Sequence, residues 1–340
     1  MTELAGQATF ICGHPKSGTS LLLSLLDSHP QLLVYPEESA YFRRFDRLTA
    51  GKTIEQKIDQ AKFHLIHMFE WDAANPPPSQ EGYPDRDYSA FSFEAANHAY
   101  RNWMEKLGFE DRNLLPAAMF AYGEISGQLS EQTVRWVEKT PYNEKYTSRI
   151  FKYWPDARCI QVIRDPRDNF TSYHKKHPDW SPFDFAYSWR SSTRTARKNL
   201  RRFGKNHYLC IRFEDLISRP AETMERVRQF LEIKENPAMF QPSKAGKAWH
   251  GNSMFGNRFE AVSSVPKGRW RDSLSSKEVR QIEAALVFLM RRWDYTLEEP
   301  VKLSDWFFWI DYVIDRRRRD RMQSASSEQY SHLEDEETEL

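Results

Sequence analysis

Eight residues constrain this chain more than any others: Gly13-His14-Pro15-Lys16-Ser17-Gly18-Thr19-Ser20, set between two apolar runs. Residues 8–12 (ATFIC) before them have the character of a short buried strand, and after them Leu21, Leu22, Leu25 and Leu26 recur at helical spacing. A strand that turns through a glycine-containing loop directly into a helix aims backbone N–H groups and the positive helix end at one point, which suits an anion. The plain alternative is a strand-to-helix turn carrying a solvated lysine.

The pattern of strand, polar turn and helix repeats along the chain. Residues 31–35 (QLLVY), ended by Pro36, read as a second strand. Residues 134–137 lead into Glu138-Lys139-Thr140-Pro141, and residues 158–163 (RCIQVI) and 208–212 (YLCIR) read as further strands. Strands alternating with helices imply right-handed crossovers and a parallel sheet with ligands at the carboxyl ends of its strands. From about 40 to 135 the sequence is aromatic-rich and helical, interrupted by a loop at Asn75-Pro76-Pro77-Pro78-Ser79, and reads as an insertion. Ser275-Ser276-Lys277-Glu278 resembles a capping box that opens a helix with the apolar face Val279, Ile282, Leu286, Leu289 and Trp293. The expected fold is α/β: a three-layer arrangement like that of P-loop proteins, with a central parallel sheet, helices on both faces and a helical insertion.

Charge and composition narrow the function. The net charge of +1 conceals a division, because residues 324–340 carry six acids and no lysine or arginine, which leaves +7 for the remainder. A mildly basic body suits an anionic ligand, whereas nucleic-acid binding would want a denser stripe of charge. We expect one domain over residues 1–323 and an acidic, disordered tail over 324–340. Cys12, Cys159 and Cys210 all fall in strand-like apolar segments without a CxxC pair, so they read as core residues. No apolar run approaches the length of a membrane span, and residues 1–7 have no basic leader, so a cytoplasmic location is the default expectation.

The lysine of the first loop is out of place for a nucleotide hydrolase. A Walker A loop needs lysine and a hydroxyl residue after its last glycine; Gly18 is followed by Thr19 and Ser20, and Lys16 precedes Ser17-Gly18. A second anion-binding element lies further on, where Arg164-Asp165-Pro166-Arg167-Asp168 closes a strand and Ser172 follows Arg164 by eight residues. Together these segments resemble the sulfotransferases that use 3′-phosphoadenosine-5′-phosphosulfate (PAPS). The resemblance implies that Lys16, Ser17, Gly18, Thr19 and Ser20 hold the 5′-phosphosulfate, and that Arg164 and Ser172 hold the 3′-phosphate. Lys267, Gly268 and Arg269, before Trp270, look like the family's C-terminal loop that closes on the cofactor.

The same resemblance implies the chemistry. In the heparan and protein-tyrosine branches a glutamate after a His-Pro pair acts as base; here His29-Pro30 precedes Glu37-Glu38, which assigns the base to Glu38 with Glu37 as the alternative. Lys139 matches a lysine that reaches the sulfuryl oxygens, and Lys16 would meet charge at the bridging oxygen. His174 and His177 are less attractive as bases. Phe213-Glu214-Asp215-Leu216 resembles a family segment that shapes the adenine side. No metal is demanded, since no evident acidic magnesium ligand follows Ser20. The implied activity is sulfuryl transfer to a hydroxyl of a small molecule, carbohydrate or glycolipid, with no nucleic-acid partner. A nucleotide or metabolite kinase and a non-catalytic nucleotide-binding protein remain the alternatives.

Two further features carry expectations. Aromatic residues of the insertion, among them Phe42, Phe63, Phe69, Trp71, Tyr83, Tyr88, Phe91, Phe93 and Trp103, either face an acceptor or fill a core. Trp306-Phe307-Phe308-Trp309-Ile310 with Tyr312, Val313 and Ile314 runs into Arg316 to Arg319 and Arg321. Such a segment (306–321) suits the plane of an anionic bilayer, the alternative being a final helix packed on the core.

Overall fold

Five short strands pair in parallel in the order β2-β3-β1-β4-β5, where β1 is Ala8–Gly13, β2 Leu32–Val34, β3 Arg135–Lys139, β4 Arg158–Ile163 and β5 Tyr208–Arg212. The computed structural model describes residues 2–81, 83, 85–251, 262–263, 267–298 and 300–337. β1 is central: Ile11 is in register with Lys139 on one side and Ile160 on the other. The segments leaving β1, β3 and β4 therefore emerge side by side at one edge of the sheet, which brings residues 13–20, Lys139 and Arg164 together. A two-stranded antiparallel hairpin, β6 (Ser243–Lys244) and β7 (Lys247–Ala248), stands apart from the sheet.

In chain order the helices are α1 Thr2–Gly6, α2 Thr19–Leu26, α3 Asp46–Leu48, α4 Ile54–His64, α5 Phe93–Leu107, α6 Leu114–Ser126 and α7 Thr147–Tyr153. They continue as α8 Pro166–His174, α9 Pro182–Phe203, α10 Phe213–Ser218, α11 Pro220–Leu231, α12 Trp270–Ser273, α13 Ser276–Arg292 and α14 Leu303–Glu337. The chain divides into two compact units, residues 1–164 with 192–267, and residues 165–191 with 268–340.

The first unit holds the sheet. Successive strand residues point to opposite faces, so Phe10, Cys12, Trp136, Cys159 and Tyr208 join one core, while Ile11, Val137, Ile160, Val162 and Ile211 join the other. Helices of the insertion cover the first face, and α2, α10 and α11 supply leucines, Met224 and Val227 to the second. Between β2 and β3 the described residues form helices and turns without a strand. Most insertion aromatics are core: Phe42, Phe69, Trp71, Tyr88 and Trp103 are buried, whereas Phe63 is exposed. Burial of these rings, worth about 1.5–3 kcal/mol for a large apolar side chain, makes packing the better account of them than acceptor binding.

The second unit is organised around Arg167. Its buried guanidinium lies 2.7 Å from Asp165 and 2.6 Å from Glu283, and stacks on Trp270 at 4.2 Å. Ser275 and Glu278 do form the reciprocal capping box that opens α13. α14 runs on as helix to Glu337, through most of the segment where the sequence suggested disorder. That run contains neither proline nor glycine, so nothing in it breaks a helix.

Candidate active site

The first loop is built by two glycines and a strained lysine. Gly13 has φ 143°, Lys16 φ 65° and Gly18 φ 100°, and α2 begins one residue after Gly18. A Cβ at Gly18 would come within 2.2 Å of the Phe213 ring, and one at Gly13 within 2.6 Å of the Val162 carbonyl oxygen. Bare backbone is thus required at both places. The hydroxyl of Ser17 is buried and finds no hydrogen-bond partner among the described residues, as fits a group that waits for a ligand oxygen. The first-turn amides of α2 have no partner within the helix, so the loop ends at a site of positive potential.

Arg164 is tied to this loop. Its Nη1 donates to the Lys16 carbonyl at 3.0 Å, and its guanidinium lies 4.7 Å from the Phe213 ring centre. Phe213 therefore packs on Gly18 and Arg164 together. The nearby Arg167 pairs with Asp165.

The carboxylate and lysine singled out by the sequence meet directly. Lys139 Nζ donates to Glu38 Oε1 at 2.7 Å; the lysine side chain is 7 % exposed and that of Glu38 38 %. Burial opposes the charged form of Glu38, but the ammonium of Lys139, with Arg43 and Arg86, outweighs it and holds the carboxyl below its usual range. Glu37 is engaged elsewhere: it accepts from Tyr88 at 3.0 Å, Arg86 at 3.1 Å and Lys244 at 2.7 Å, and is buried. Three donors leave it little capacity to take a proton from an acceptor, which favours Glu38 of the two.

A second buried glutamate positions the pair. Glu138 accepts from the Ser39 amide (3.3 Å) and hydroxyl (2.7 Å), from Thr140 (2.5 Å) and from Asn143 (2.6 Å). It thereby fastens the segment after Glu38 to the strand that carries Lys139. Burial raises its carboxyl above the ordinary value against the pull of those hydrogen bonds. Glu144, also raised by burial, accepts from the Gly13 amide at 3.0 Å and from Ser192, and so fixes the entrance of the first loop.

Beside Glu38 and Lys139 lies a cleft of about 80 Å³, lined also by Ser20, Asp27, Tyr83, Asp85, Arg86, Lys244 and Trp249. The β6–β7 hairpin forms one wall: Asp27 accepts from the Ala245 and Gly246 amides at 3.2 and 2.9 Å. Lys244 also reaches Asp85 at 3.1 Å, and the Trp249 indole donates to the same carboxylate at 3.3 Å. His29, part of the sequence motif, is structural; its Nε2 lies 2.8 Å from the Lys234 carbonyl, and its Nδ1 accepts from the Gln31 amide at 3.1 Å.

The other sequence-assigned residues belong to the second unit, apart from exposed Lys267. Ser172 is buried in the second turn of α8. Gly268, with φ 78°, donates its amide to Asp168 at 2.7 Å, and the Trp270 amide donates to the same carboxylate at 3.0 Å. The loop carrying Gly268 and Arg269 is thus clamped to the first turn of the helix that carries Ser172. Val265 and Pro266 lie outside the described residues. His174 contacts Phe170 and has Nδ1 3.1 Å from the Trp180 carbonyl. Sequence reasoning missed Glu138 as an anchor, Glu144, Asp27 and the hairpin with Lys244. The Glu-Lys-Thr-Pro segment could have flagged Glu138, since an acid in a buried strand needs partners.

Residues 8–237 match the model of the Sulfotransferase family. Over 236 residues the chain is 22% identical to the protein-tyrosine sulfotransferase of Drosophila melanogaster, covering 68% of this chain and 39% of that one. Over 230 residues it is 20% identical to protein-tyrosine sulfotransferase A of Caenorhabditis elegans, covering 66% and 49%. It spans less than half the length of those two relatives. Among solved structures it is similar to a sulfotransferase domain from the curacin biosynthetic pathway, with a TM-score of 0.47 and 16% identity over 85% of this chain and 98% of that one.

Proposed function

This chain belongs to the sulfotransferase family, and from that premise we propose that it moves the sulfuryl group of PAPS directly to an acceptor hydroxyl, with Glu38 as base. The observation that carries this reading is the Lys139–Glu38 contact of 2.7 Å beside a strained glycine loop. The orphaned Ser17 hydroxyl, the bare backbone at Gly13 and Gly18, and Arg164 fit a phosphorylated nucleotide. When bound, PAPS supplies the sulfuryl group and a phosphate that leaves with the electrons of the broken S–O bond.

The chain's own residues do the rest. Residues 16–20 are assigned to the 5′-phosphosulfate, Arg164 and Ser172 to the 3′-phosphate, and Lys267, Gly268 and Arg269 to the loop that closes on the donor. Lys16 balances charge on the leaving oxygen and Lys139 on the sulfuryl oxygens. As Lys139 turns to those oxygens, Glu38 loses the ammonium that depresses its basicity and takes the proton of the attacking hydroxyl. The resting ion pair is then a store of both groups, separated only when the donor arrives.

For the acceptor we propose a carbohydrate or glycolipid hydroxyl. The cleft is lined by the aromatic residues Tyr83 and Trp249 and by the charged Asp85 and Arg86, a mixture of apolar and hydrogen-bonding groups that suits a sugar. A tyrosine hydroxyl on a peptide is the second reading, favoured by the relatives being protein-tyrosine sulfotransferases.

The test is incubation with radiolabelled PAPS and separate carbohydrate, glycolipid and tyrosyl-peptide acceptors without added metal. Label on one class identifies it. Tight binding of 3′,5′-phosphoadenosine with no labelled product for any acceptor would replace the enzyme with a binding protein, and magnesium-dependent ATP turnover would replace it with a kinase. Glu38→Gln is expected to lower turnover about 10²–10⁴-fold with nucleotide affinity retained; an unchanged rate would remove Glu38 from the mechanism.

A further inference from the structure

α14 has two faces between residues 303 and 320, and among the described residues the contacts of Asp305, Trp309, Tyr312 and Arg316 with α9 and α13 fall on one of them. On the inner face Trp309 is buried and stacks on Tyr312 with ring centres 5.7 Å apart, and Phe183 of α9 touches both rings. Tyr312 donates to Asp184 at 2.7 Å, Arg316 lies 3.6 Å from the same carboxylate, and Asp305 faces Arg280 of α13 at 4.0 Å. This set of contacts docks the helix and fixes its rotation.

At about 100° per residue, that rotation sends Leu303, Trp306, Phe307, Ile310 and Ile314 outward as one stripe. All are exposed, Leu303 at 76 % and Phe307 at 65 %. Phe288 of α13, 70 % exposed, lies against Trp306 with ring centres 6.2 Å apart and widens the patch. Scattered exposed apolar residues are ordinary, but a contiguous group of this kind on a docked helix marks a contact surface. The stripe then changes character: its next members toward the C-terminus are Arg317 and Arg318, both exposed. Arg318 has a loose 3.8 Å contact with Asp315, while Arg317 and Arg319 form no ion pair among the described residues. Asp311 and Asp315 lie to one flank of the stripe.

We propose that this face of α14 is a membrane-surface anchor, which lies in the interface of an anionic bilayer with its apolar stripe in the headgroup boundary and Arg317 and Arg318 on the lipid phosphates. The exposed arginines that close the apolar stripe complement a negatively charged surface, so charge selects an anionic bilayer as the occupant. No described helix is long and apolar enough to cross a membrane, which leaves attachment from one side. The sequence presented membrane and core as alternatives for 306–321; the rotation of α14 gives one face to each.

Flotation of the full chain with vesicles tests this. Binding is expected to phosphatidylcholine vesicles containing phosphatidylserine, and to weaken steeply with salt, with little binding to phosphatidylcholine alone. Arg317→Ala with Arg318→Ala should weaken it about 25-fold, at roughly fivefold per charge. Phe307→Asp with Ile310→Asp should abolish it, while circular dichroism and the melting temperature stay as in the parent because both side chains are exposed. Failure to bind either vesicle overturns the proposal. So does a dimer in sedimentation equilibrium that Phe307→Asp with Ile310→Asp dissociates, since the stripe would then be covered by a second copy.

Discussion

Replacing Gly18 by alanine sets a new methyl group against Phe213, at 2.2, 2.7 and 3.2 Å from three ring carbons. The ring cannot step aside cheaply, because it is buried and the Arg164 guanidinium lies against it at 4.7 Å. Two costs add: holding a non-glycine residue at φ 100° takes about 1–2 kcal/mol, and overpacking takes about 1–3 kcal/mol. The loss is then about 2–5 kcal/mol. Gly204 separates the two costs, since it has φ 75° and open space, with no heavy atom within 4 Å of where a methyl group would sit, and Gly204→Ala should lose only about 1–2 kcal/mol. The gain from a stiffer unfolded chain is common to both variants and cancels between them. With an unfolding entropy of about 0.7 kcal/mol/K for a chain of this length, calorimetry should show a drop of about 3–7 °C for Gly18→Ala and about 1.5–3 °C for Gly204→Ala. Adding Phe213→Ala to Gly18→Ala should recover the difference as a coupling energy. Equal losses for the two glycines, or no coupling to Phe213, would refute the idea that close approach of that ring dictates glycine here.

The acid limb of the pH profile of kcat/KM, which reports the free enzyme, should lie below the ordinary glutamate range: Glu38 has a lowered folded pKa, so activity is held above it and lost as pH falls through it. In Lys139→Ala, burial is left without its strongest opponent and the residual activity's limb should move up; a limb that stays in place contradicts the pairing. Glu138→Ala leaves the Ser39, Thr140 and Asn143 donors without their acceptor, at about 1–3 kcal/mol. Its kcat/KM should fall with 3′,5′-phosphoadenosine affinity unchanged by titration calorimetry. Arg167→Met removes the cation that Asp165 and Glu283 share and should destabilise by about 3–5 kcal/mol, measured by thermal unfolding, with partial recovery when Glu283→Leu is added.

Local order was legible because it is written in neighbouring residues. The alternation of apolar runs with helical spacing announced four of the five strands within a residue or two, and the fifth, β2, as a run one residue longer at each end than Leu32–Val34. The two glycines announced the loop, and Ser275-Glu278 the start of α13. The glutamate proposed as base and the lysine beside it could also be named, since each sits in a short motif. Other facts depend on partners far apart in sequence. Glu37 and Glu38 are adjacent and chemically identical, yet Tyr88, Arg86 and Lys244 occupy one and Lys139 the other. The hairpin wall at 243–248 has no motif, and Asp27 recognises its backbone amides, which every sequence possesses. The rotation of α14 is likewise set by Phe183, Asp184 and Arg280, so only the folded chain decides which aromatics it keeps and which it offers. Sequence by itself determined the kind of loop and the order of strands, because propensity and periodicity act between neighbours; tertiary structure decided which charge meets which, because a hydrogen bond is settled by distance in space.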